Sequence, residues 1–417
     1  MADLNIKMAV MVSKSELLNL YVQKCEESNE PRNLSLYKYL EEQAIQQEAE
    51  RERAEQEDYT IEEGNHFDLM FRGNDKLNFS SRITDSNLYP LVGALVDHAI
   101  LIQHIDLRFN LISDAGAIIL GNLLKPAINL QTLYLQSNNI GEEGARKLGE
   151  CLENHERLLY LNLNGNQIGT PGANALVQLL FTCPAIVELD IGNNYIDHYG
   201  IIAITTALNR ARLALEVLNL ENPRLNSIMQ ETAVHFGQML SINQTLQKLS
   251  LKKFKLRCDG IYTISNHLME NSTLKVLDLS CNEISSDGAE YLSRYLKAQY
   301  CGLESLILGV NKIVDLGAKS IAQALAVNQS LIHIDLTRNS IGDEGLSRLA
   351  EALFHNQKLL SFKLYGNHFD QQSLKLFYRL FQTPRDNEWY PDFTTYYVDE
   401  QVQMAYIETE VPYDIYV

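Results

Sequence analysis

The chain has 417 residues, 46% of them hydrophobic, and a formal net charge of −18 from 35 basic and 53 acidic residues. No apolar run approaches the roughly 20 residues that a membrane span needs, and the apolar stretch at residues 8–12 is too short for the core of a signal peptide. We therefore expect a soluble, intracellular protein with no membrane partner. The six cysteines show neither a Cys-x-x-Cys pair nor zinc-site spacing, which favours reduced structural thiols.

The negative charge is concentrated at the two ends of the chain. Residues 41–63 hold ten acidic residues and two arginines, a net charge of −8, and residues 385–417 hold eight acidic residues and one arginine, a net charge of −7. The rest of the chain carries only −18 + 15 = −3. Because phosphates would meet repulsion rather than a basic face, we exclude nucleic acid as a main partner.

The segment 1–66 is predicted to form a helical, acidic N-terminal extension. Residues 13–28 have one apolar face and begin with Ser13 or Ser15 as a possible cap, which predicts a short amphipathic helix. A second helix is predicted over residues 34–58, and its second half has no apolar face. That half is either a charged, solvated segment or a helix that a partner covers.

The next part of the chain is built on one recurring unit. The stretch Leu130–Leu148 carries Leu130, Leu133, Leu135, Asn138 and Ile140, spaced as in a leucine-rich repeat. The same phrase begins at Ile102, Leu130, Leu158, Ile186, Leu215, Leu246, Leu274, Leu303, Leu331 and Leu359. Each unit combines a strand with period-two leucines and a helix with an apolar stripe, and it buries both only by stacking on its neighbours.

These repeats predict an α/β solenoid, a curved horseshoe with parallel strands on the concave face and helices on the convex face. We expect the solenoid to span residues 67–382, with an atypical first repeat followed by ten regular ones. Five strand leucines should be buried: Leu133, Leu161, Leu189, Leu277 and Leu306. The residue that follows each of them should be exposed. The atypical first strand is placed at Leu77 and Phe79, which lie one repeat period before Ile105 and Leu107, with Arg82 in place of the asparagine.

Asparagines at one position of most repeats are predicted to pair with backbone groups of adjoining turns: Asn110, Asn138, Asn166, Asn194, Asn282, Asn311, Asn339 and Asn367. Repeats five and six depart from this rule because Pro223 and Phe254 hold the position. The step between the starts of these two repeats, from Leu215 to Leu246, is also the longest in the series. We therefore expect an irregular middle.

The sequence shows no motif that is typical of catalysis or of binding a cofactor or a small-molecule substrate. It has no P-loop, no zinc-protease His-Glu-x-x-His and no nucleophile elbow. His155, His267 and His355 precede new repeats and are interpreted as surface corners rather than metal ligands. Asp106, Asp190, Asp278 and Asp335 recur between strand leucines and are interpreted as a solvated row. We predict no enzyme activity, no metal and no cofactor.

Repeat six carries five basic residues within ten positions: Lys248, Lys252, Lys253, Lys255 and Arg257. They form either a solvated basic strand that balances Glu221 or a contact for an acidic protein segment. The protein's own acidic tail is one candidate for that segment.

The tail, residues 383–417, is aromatic and acidic. We expect it to cap the open end of the solenoid, with Trp389, Phe393 and Tyr396 as the nearest covering rings. Alternatively it docks on another protein, in which case Trp389, Tyr396 and Tyr397 bind the partner. Residues 397–402 suggest a strand, a turn and a second strand.

The repeat phrase resembles the leucine-rich repeats of the ribonuclease-inhibitor type. Members of that family are intracellular and include inhibitors, GTPase activators, actin regulators and scaffolds, so the resemblance specifies the fold better than the function. The layout resembles a subgroup with a helical lead, about ten repeats and a Val-Asp-x-x-Val-x-x-Ala phrase, here at Val398–Ala405. That resemblance implies a cytoplasmic or nuclear protein built into a ciliary axoneme.

Two functions follow from these observations. The first is a non-enzymatic scaffold for protein–protein interaction, a subunit of a larger intracellular assembly. The alternative is a regulator of a small GTPase in the manner of the Ran GTPase activators, which share the repeat and have an acidic C-terminal segment.

Overall fold

In the computed structural model, the described residues are 13–57, 66–76, 78–209, 213–225, 229–384 and 388–408. They belong to two compact units, Met1–Tyr195 and Ile196–Val417. Most of each unit is a series of consecutive repeats in which a short strand is followed by a helix. Within the described ranges, none of the helices is long and apolar enough to cross a membrane.

Among its described residues, the first unit holds five parallel strands in chain order and six α-helices. The strands are β1 (Phe67–Met70), β2 (Ile102–Asp106), β3 (Thr132–Tyr134), β4 (Tyr160–Asn162) and β5 (Glu188–Asp190). The helices are α1 (Lys14–Ser28), α2 (Leu34–Glu57), α3 (Asp85–Leu95), α4 (Asp114–Leu124), α5 (Glu142–Leu152) and α6 (Gly169–Thr182). Two 3₁₀ helices cover Phe79–Ser81 and Val96–Leu101.

The part of the second unit that the structure describes has the same pattern, with seven parallel strands followed by a hairpin. The parallel strands are β6 (Val217–Asn219), β7 (Lys248–Ser250), β8 (Val276–Asp278), β9 (Ser305–Ile307), β10 (His333–Asp335), β11 (Ser361–Lys363) and β12 (Tyr390–Pro391). The helices are α7 (His198–Leu208), α8 (Met229–Ile242), α9 (Arg257–Leu268), α10 (Ser286–Leu296), α11 (Val314–Leu325), α12 (Asp343–His355) and α13 (Gln371–Gln382). The antiparallel hairpin comprises β13 (Phe393–Val398) and β14 (Gln401–Tyr406).

The period-two pattern in each strand separates a buried side from an open side. The central leucines predicted to be core are at most 1% exposed: Leu133, Leu161, Leu189, Leu277 and Leu306. They pair in register, for example Leu133 with Leu161 and Leu277 with Leu306, so the core is a stack of equivalent leucines. The residues that follow them are half-buried rather than exposed, because side chains of adjacent strands crowd this side. We call it the strand face, meaning the side of each sheet opposite the helices.

The asparagines in the turns hold neighbouring repeats together, as predicted. The Asn138 amide donates to the carbonyl oxygens of Leu107 and Leu135 at 3.0 and 2.9 Å, and its oxygen accepts the Ile112 N–H at 3.1 Å. Each of these carbonyls also accepts from the next asparagine of the row, Asn110 or Asn166, and the Ile112 N–H would be buried without a partner if Asn138 were absent. In repeat six, Phe254 is fully buried and packs edge-on against Phe236 with ring centroids 5.5 Å apart, so an apolar contact replaces the amide.

A second row of hydrogen bonds, which the repeat pattern did not predict, lies near the ends of six helices. His155 Nε2, Cys183 Sγ and Asn243 Nδ2 contact the carbonyl oxygens of Leu124, Leu152 and Leu208 at 2.9, 2.9 and 3.0 Å. Asn271, Asn328 and Asn356 make the same bond in later repeats. The last carbonyls of a helix have no partner within it, and this row supplies one. His155 is only 3% exposed, so its interpretation as a surface corner is wrong.

The first strand lies eight residues before its predicted position. Leu69 pairs with Ile105, whereas the prediction paired Leu77 with it, and Leu77 lies outside the described residues. Phe79 falls in a 3₁₀ helix and is 64% exposed. The insertion between this strand and the next repeat breaks the repeat period, which is why subtracting one period gave the wrong strand.

The N-terminal helices pack on the beginning of the repeats. Ser13 caps α1 by accepting the Glu16 N–H at 3.1 Å, as the capping pattern predicts, and α1 contacts both α2 and α3. The Tyr39 hydroxyl on α2 donates to the Asp68 carbonyl at 3.2 Å and accepts the Met70 N–H at 2.9 Å, which ties α2 to β1. The helix continues to Glu57, but most side chains of its charged last turns are outside the described set.

Candidate functional site

The basic residues of repeat six follow one strand and the turn after it. Lys248 and Lys252 are half-buried on the strand face, and Lys248 lies between Val217 and Val276 of the neighbouring strands. Lys253 and Lys255 are exposed and have left-handed backbone angles, with φ of 62° and 53°. Lys253 holds the turn position that Gly165 holds in repeat three, so the repeat geometry itself projects this lysine outward.

Two of the five cations are paired. Lys252 Nζ lies 3.3 Å from Glu221 Oε2, and Arg257 Nε lies 3.2 Å from Glu283 Oε2. Burial alone would lower the pKa of Lys252, but the charge and hydrogen bond of Glu221 outweigh it and raise that pKa. This ion pair between Lys252 and Glu221 agrees with the interpretation of a solvated basic strand. Lys248, Lys253 and Lys255 have no acidic partner among the described residues.

The aspartates between the strand leucines are not a uniformly solvated row. Asp106 is 0% exposed and receives hydrogen bonds from Arg72 Nε at 2.6 Å and Arg108 Nε at 2.9 Å. Burial would raise the pKa of Asp106, but these two arginines hold it below its usual range. Asp278 accepts the Ser280 hydroxyl at 2.6 Å, and burial raises its pKa. The predicted solvation is wrong for Asp106, because two arginines let a carboxylate stay buried.

Several described residues of the C-terminal tail pack against the last repeat. Strand β12 adds to the sheet beside β11, and Phe393 is fully buried. Trp389 packs edge-on against Phe362 with centroids 5.2 Å apart. Tyr396 does not join this cover: it is 44% exposed, because alternate residues of β13 face opposite sides. Tyr397 is 53% exposed although its ring packs edge-on against Tyr378 at 4.7 Å.

A cavity of about 470 Å³ opens between the last strands and the end of the hairpin. Its lining combines cations with carboxylates and rings, among them Arg338, Lys363, Asp392, Tyr365 and Tyr406. Burial raises the pKa of Asp392, whose carboxylate accepts the N–H groups of Leu364 and Tyr365 at 2.9 and 3.0 Å. This aspartate therefore holds the tail onto repeat ten.

Histidines and acidic groups do not assemble a metal site in the described ranges, where no cluster of three or more His, Cys, Asp or Glu could hold an ion. His333 is 1% exposed, and its Nδ1 lies 2.8 Å from the Ser361 hydroxyl. Burial, with a smaller effect from the charge of Lys363, lowers the pKa of His333 to about 3. This histidine is therefore a neutral core residue at physiological pH.

Comparison with known proteins agrees with the repeat geometry. A leucine-rich-repeat family model matches residues 127–149, 157–177, 270–293 and 327–350. The chain is a leucine-rich-repeat protein. It is 29% identical over 205 residues to leucine-rich repeat-containing protein 34 of Mus musculus, a match that covers 49% of each protein.

Two further matches mark the range of proteins that share this repeat. NACHT, LRR and PYD domains-containing protein 14 of Mus musculus is 30% identical over 137 residues, 33% of this chain and 13% of that protein. The solved structure of an internalin from Listeria monocytogenes superposes with a TM-score of 0.40 at 16% identity, over 72% of this chain and 78% of the other. The match to the mouse repeat protein 34 spans about half of its length. Leucine-rich-repeat proteins of this kind generally bind other proteins, and their fold is typically non-enzymatic.

Proposed function

We propose that this leucine-rich-repeat protein is a non-enzymatic scaffold, a subunit of a larger intracellular assembly such as a ciliary axoneme. The basic segment of repeat six would bind an acidic segment of a partner, through Lys248, Lys252, Lys253, Lys255 and Arg257. The hairpin that follows the last repeat would offer a second contact, through Tyr396 and Tyr397, with Trp389 holding it against repeat ten.

One observation carries this proposal: three of the five cations lack an acidic partner in the described ranges. An ion pair that already exists within a protein must be broken before its cation meets a partner, whereas Lys248, Lys253 and Lys255 can bind without that loss. Lys253 and Lys255 also stand on a turn whose backbone is fixed by neighbouring repeats, with the Lys253 N–H donating to the Ser280 carbonyl at 3.0 Å. Their backbone is therefore ordered before binding.

The test is a triple charge reversal that spares the internal ion pairs. The variant Lys248→Glu, Lys253→Glu, Lys255→Glu should bind a labelled glutamate-rich peptide roughly tenfold or more weakly in fluorescence anisotropy, since each exposed pair contributes about 0.2–1 kcal/mol. Lys252 stays unchanged because its reversal would place a second carboxylate beside Glu221. The melting temperature should be nearly unchanged.

The matched control reverses three exposed lysines elsewhere in the same unit, Lys312, Lys319 and Lys358. It has the same net charge as the test variant, so a general charge effect would weaken both equally. Equal peptide affinity in the two variants would contradict the proposal and support the interpretation of repeat six as a solvated basic strand. Crosslinking mass spectrometry of purified complexes would then show which face partners touch.

The alternative function, regulation of a small GTPase, predicts a different result. GTP hydrolysis by a small GTPase would change when the protein is added, whereas a scaffold would leave the rate unchanged. No residue of this chain matches an activator motif, so the assay would use the whole protein.

A further inference from the structure

The turn between β13 and β14 determines which backbone groups of the hairpin point away from the partner strand. Asp399 and Glu400 both have left-handed backbone angles, with φ of 47° and 62°. A two-residue turn of this kind matches the twist of antiparallel strands and sets Val398 opposite Gln401 as the first hydrogen-bonded pair. Hydrogen-bonded and outward-facing pairs then alternate along the hairpin.

Contacts of β14 confirm that alternation. Tyr397 stands opposite Val402, so the backbone groups of both should face away from the partner strand. The Val402 N–H does so and donates to the Gln371 side-chain oxygen at 3.3 Å, while the Gln371 amide donates to the Val402 carbonyl at 2.9 Å. Helix α13 therefore covers the outer edge of β14 at this point.

The outer edge of β13 has no such cover. By the same alternation, the N–H and C=O groups of Thr395 and Tyr397 point out of the opposite edge. In the described ranges they have no hydrogen-bond partner. A strand edge with unpaired groups is a template for another strand. Side chains beside it are also exposed: Tyr396 by 44%, Tyr397 by 53% and Val398 by 45%.

Charge near this edge is negative. Residues 388–408 contain no lysine or arginine, and Asp399, Glu400 and Glu408 are exposed. Lys375 and Arg379, on α13, are the basic residues of the helix packed against the hairpin. The tip of the hairpin, formed by Asp399 and Glu400, carries two carboxylates with no cation beside them in sequence. A strand that adds to this edge is therefore favoured by basic side chains.

We propose that the outer edge of β13 accepts an extended partner segment of alternating apolar and basic residues, which pairs with Thr395 and Tyr397 as a third strand of the hairpin. Main-chain hydrogen bonds provide the affinity in such strand addition, and side chains provide the selectivity. The apolar residues lie on one face of the added strand and contact Tyr396 and Val398, which share one face of β13, and Asp399 and Glu400 attract the basic residues. The proposal rests on the proposed function, because it specifies how the second contact of the scaffold is made.

The first test removes one outward-facing donor. A labelled peptide of alternating valine and lysine is the probe, and fluorescence anisotropy on the full chain measures its affinity. Thr395→Pro deletes an N–H that the hairpin itself does not use, so the fold should persist while affinity falls about tenfold. Hydrogen exchange of α13 confirms that the hairpin remains docked. Unchanged affinity in a variant that passes this check would overturn strand addition.

The second test changes charge without weakening the hairpin. The pair Asp399→Asn and Glu400→Gly supplies the residues that this turn favours most and removes two carboxylates. Peptide affinity should fall several-fold and lose part of its salt dependence, and an alternating valine–glutamate peptide should bind the unmodified protein weakly. Equal binding of the two peptides would refute the basic partner.

Two controls separate this proposal from others. The variant Lys248→Glu, Lys253→Glu, Lys255→Glu should bind the valine–lysine peptide with the affinity of the unmodified protein. Binding at the edge of β13 and binding at repeat six are then tested independently. Sedimentation at rising concentration tests pairing between two copies. Dimers that Thr395→Pro abolishes would overturn the assigned occupant and show that a second copy takes this edge.

Discussion

Removal of the Phe393 ring tests whether the tail is an integral part of the repeat stack. The ring is fully buried, and its centroid lies 5.0, 5.2, 5.6 and 6.2 Å from those of Phe369, Phe377, Phe381 and Phe362. Loss of a buried phenylalanine costs about 3–5 kcal/mol of unfolding free energy, from lost burial and from the cavity that remains. Phe393→Ala should therefore destabilise the second unit strongly.

The expected change in melting temperature follows from the size of that unit. Residues 196–417 number 417 − 196 + 1 = 222, and for domains of about that size 1 kcal/mol shifts the melting temperature by about 2–4 °C. Phe393→Ala should thus melt about 6–20 °C below the unmodified protein in differential scanning calorimetry. Tyr396→Ala is the control, because it removes a ring of similar size from the exposed side of the same strand.

A chain that ends at residue 384 extends the same test. It lacks Trp389 and Phe393 and should expose Phe362 and Phe377, which are at most 1% exposed in the intact chain. We expect it to self-associate and to melt early. If Phe393→Ala melts within about 2 °C of Tyr396→Ala, and the truncated chain stays monomeric, the reasoning is refuted and the tail is an attached segment rather than a cap.

Three further predictions concern the repeats. Leu277→Ala should lower the free energy of unfolding by roughly 2–5 kcal/mol in urea denaturation, and an unchanged midpoint would contradict the leucine stack. Asn138→Ala should cost about 1–3 kcal/mol by the same measurement, because it leaves the Ile112 N–H buried without a partner. The carbonyls of Leu107 and Leu135 keep the hydrogen bonds that Asn110 and Asn166 donate to them. A cost below about 0.5 kcal/mol would show that water replaces the amide. For His333, whose pKa is lowered to about 3, the unfolded chain binds the proton first, so stability should fall as pH drops from about 6.5 towards 3 by on the order of 5 kcal/mol. In calorimetry across pH, His333→Asn should reduce the dependence of the unfolding free energy on pH. An equal dependence in the variant and the unmodified protein would show that a group other than His333 is responsible.

The repeat by itself determined most of the fold. Leucines two apart in a strand and one helix stripe per repeat predict which side of each element is buried, because each repeat meets a neighbour with the same geometry. Leu133, Leu161, Leu189, Leu277 and Leu306 were identified as core for this reason, and the structure buries all five. The role of the turn asparagines followed from the same repetition.

Where a segment does not repeat, only the tertiary structure decides its place. The first strand could not be located by subtraction, because residues inserted after Leu69 obey no period. The burial of His155 depends on a carbonyl of the previous helix, at Leu124, which is 31 residues away in sequence. A regular pattern of residues three before each repeat could have indicated this row, but its members differ chemically as histidine, cysteine and asparagine.

The candidate surfaces divide in the same way. The sequence showed that repeat six is basic, but only the structure shows that Lys252 is paired with Glu221 and that Lys253 is not paired within the described ranges. Composition likewise marked the tail as aromatic and acidic, yet which rings cover repeat ten depends on the side of β13 that meets α13. A period specifies local conformation and the face that packs, whereas charge pairing and the docking of unique segments depend on residues that meet only in the folded chain.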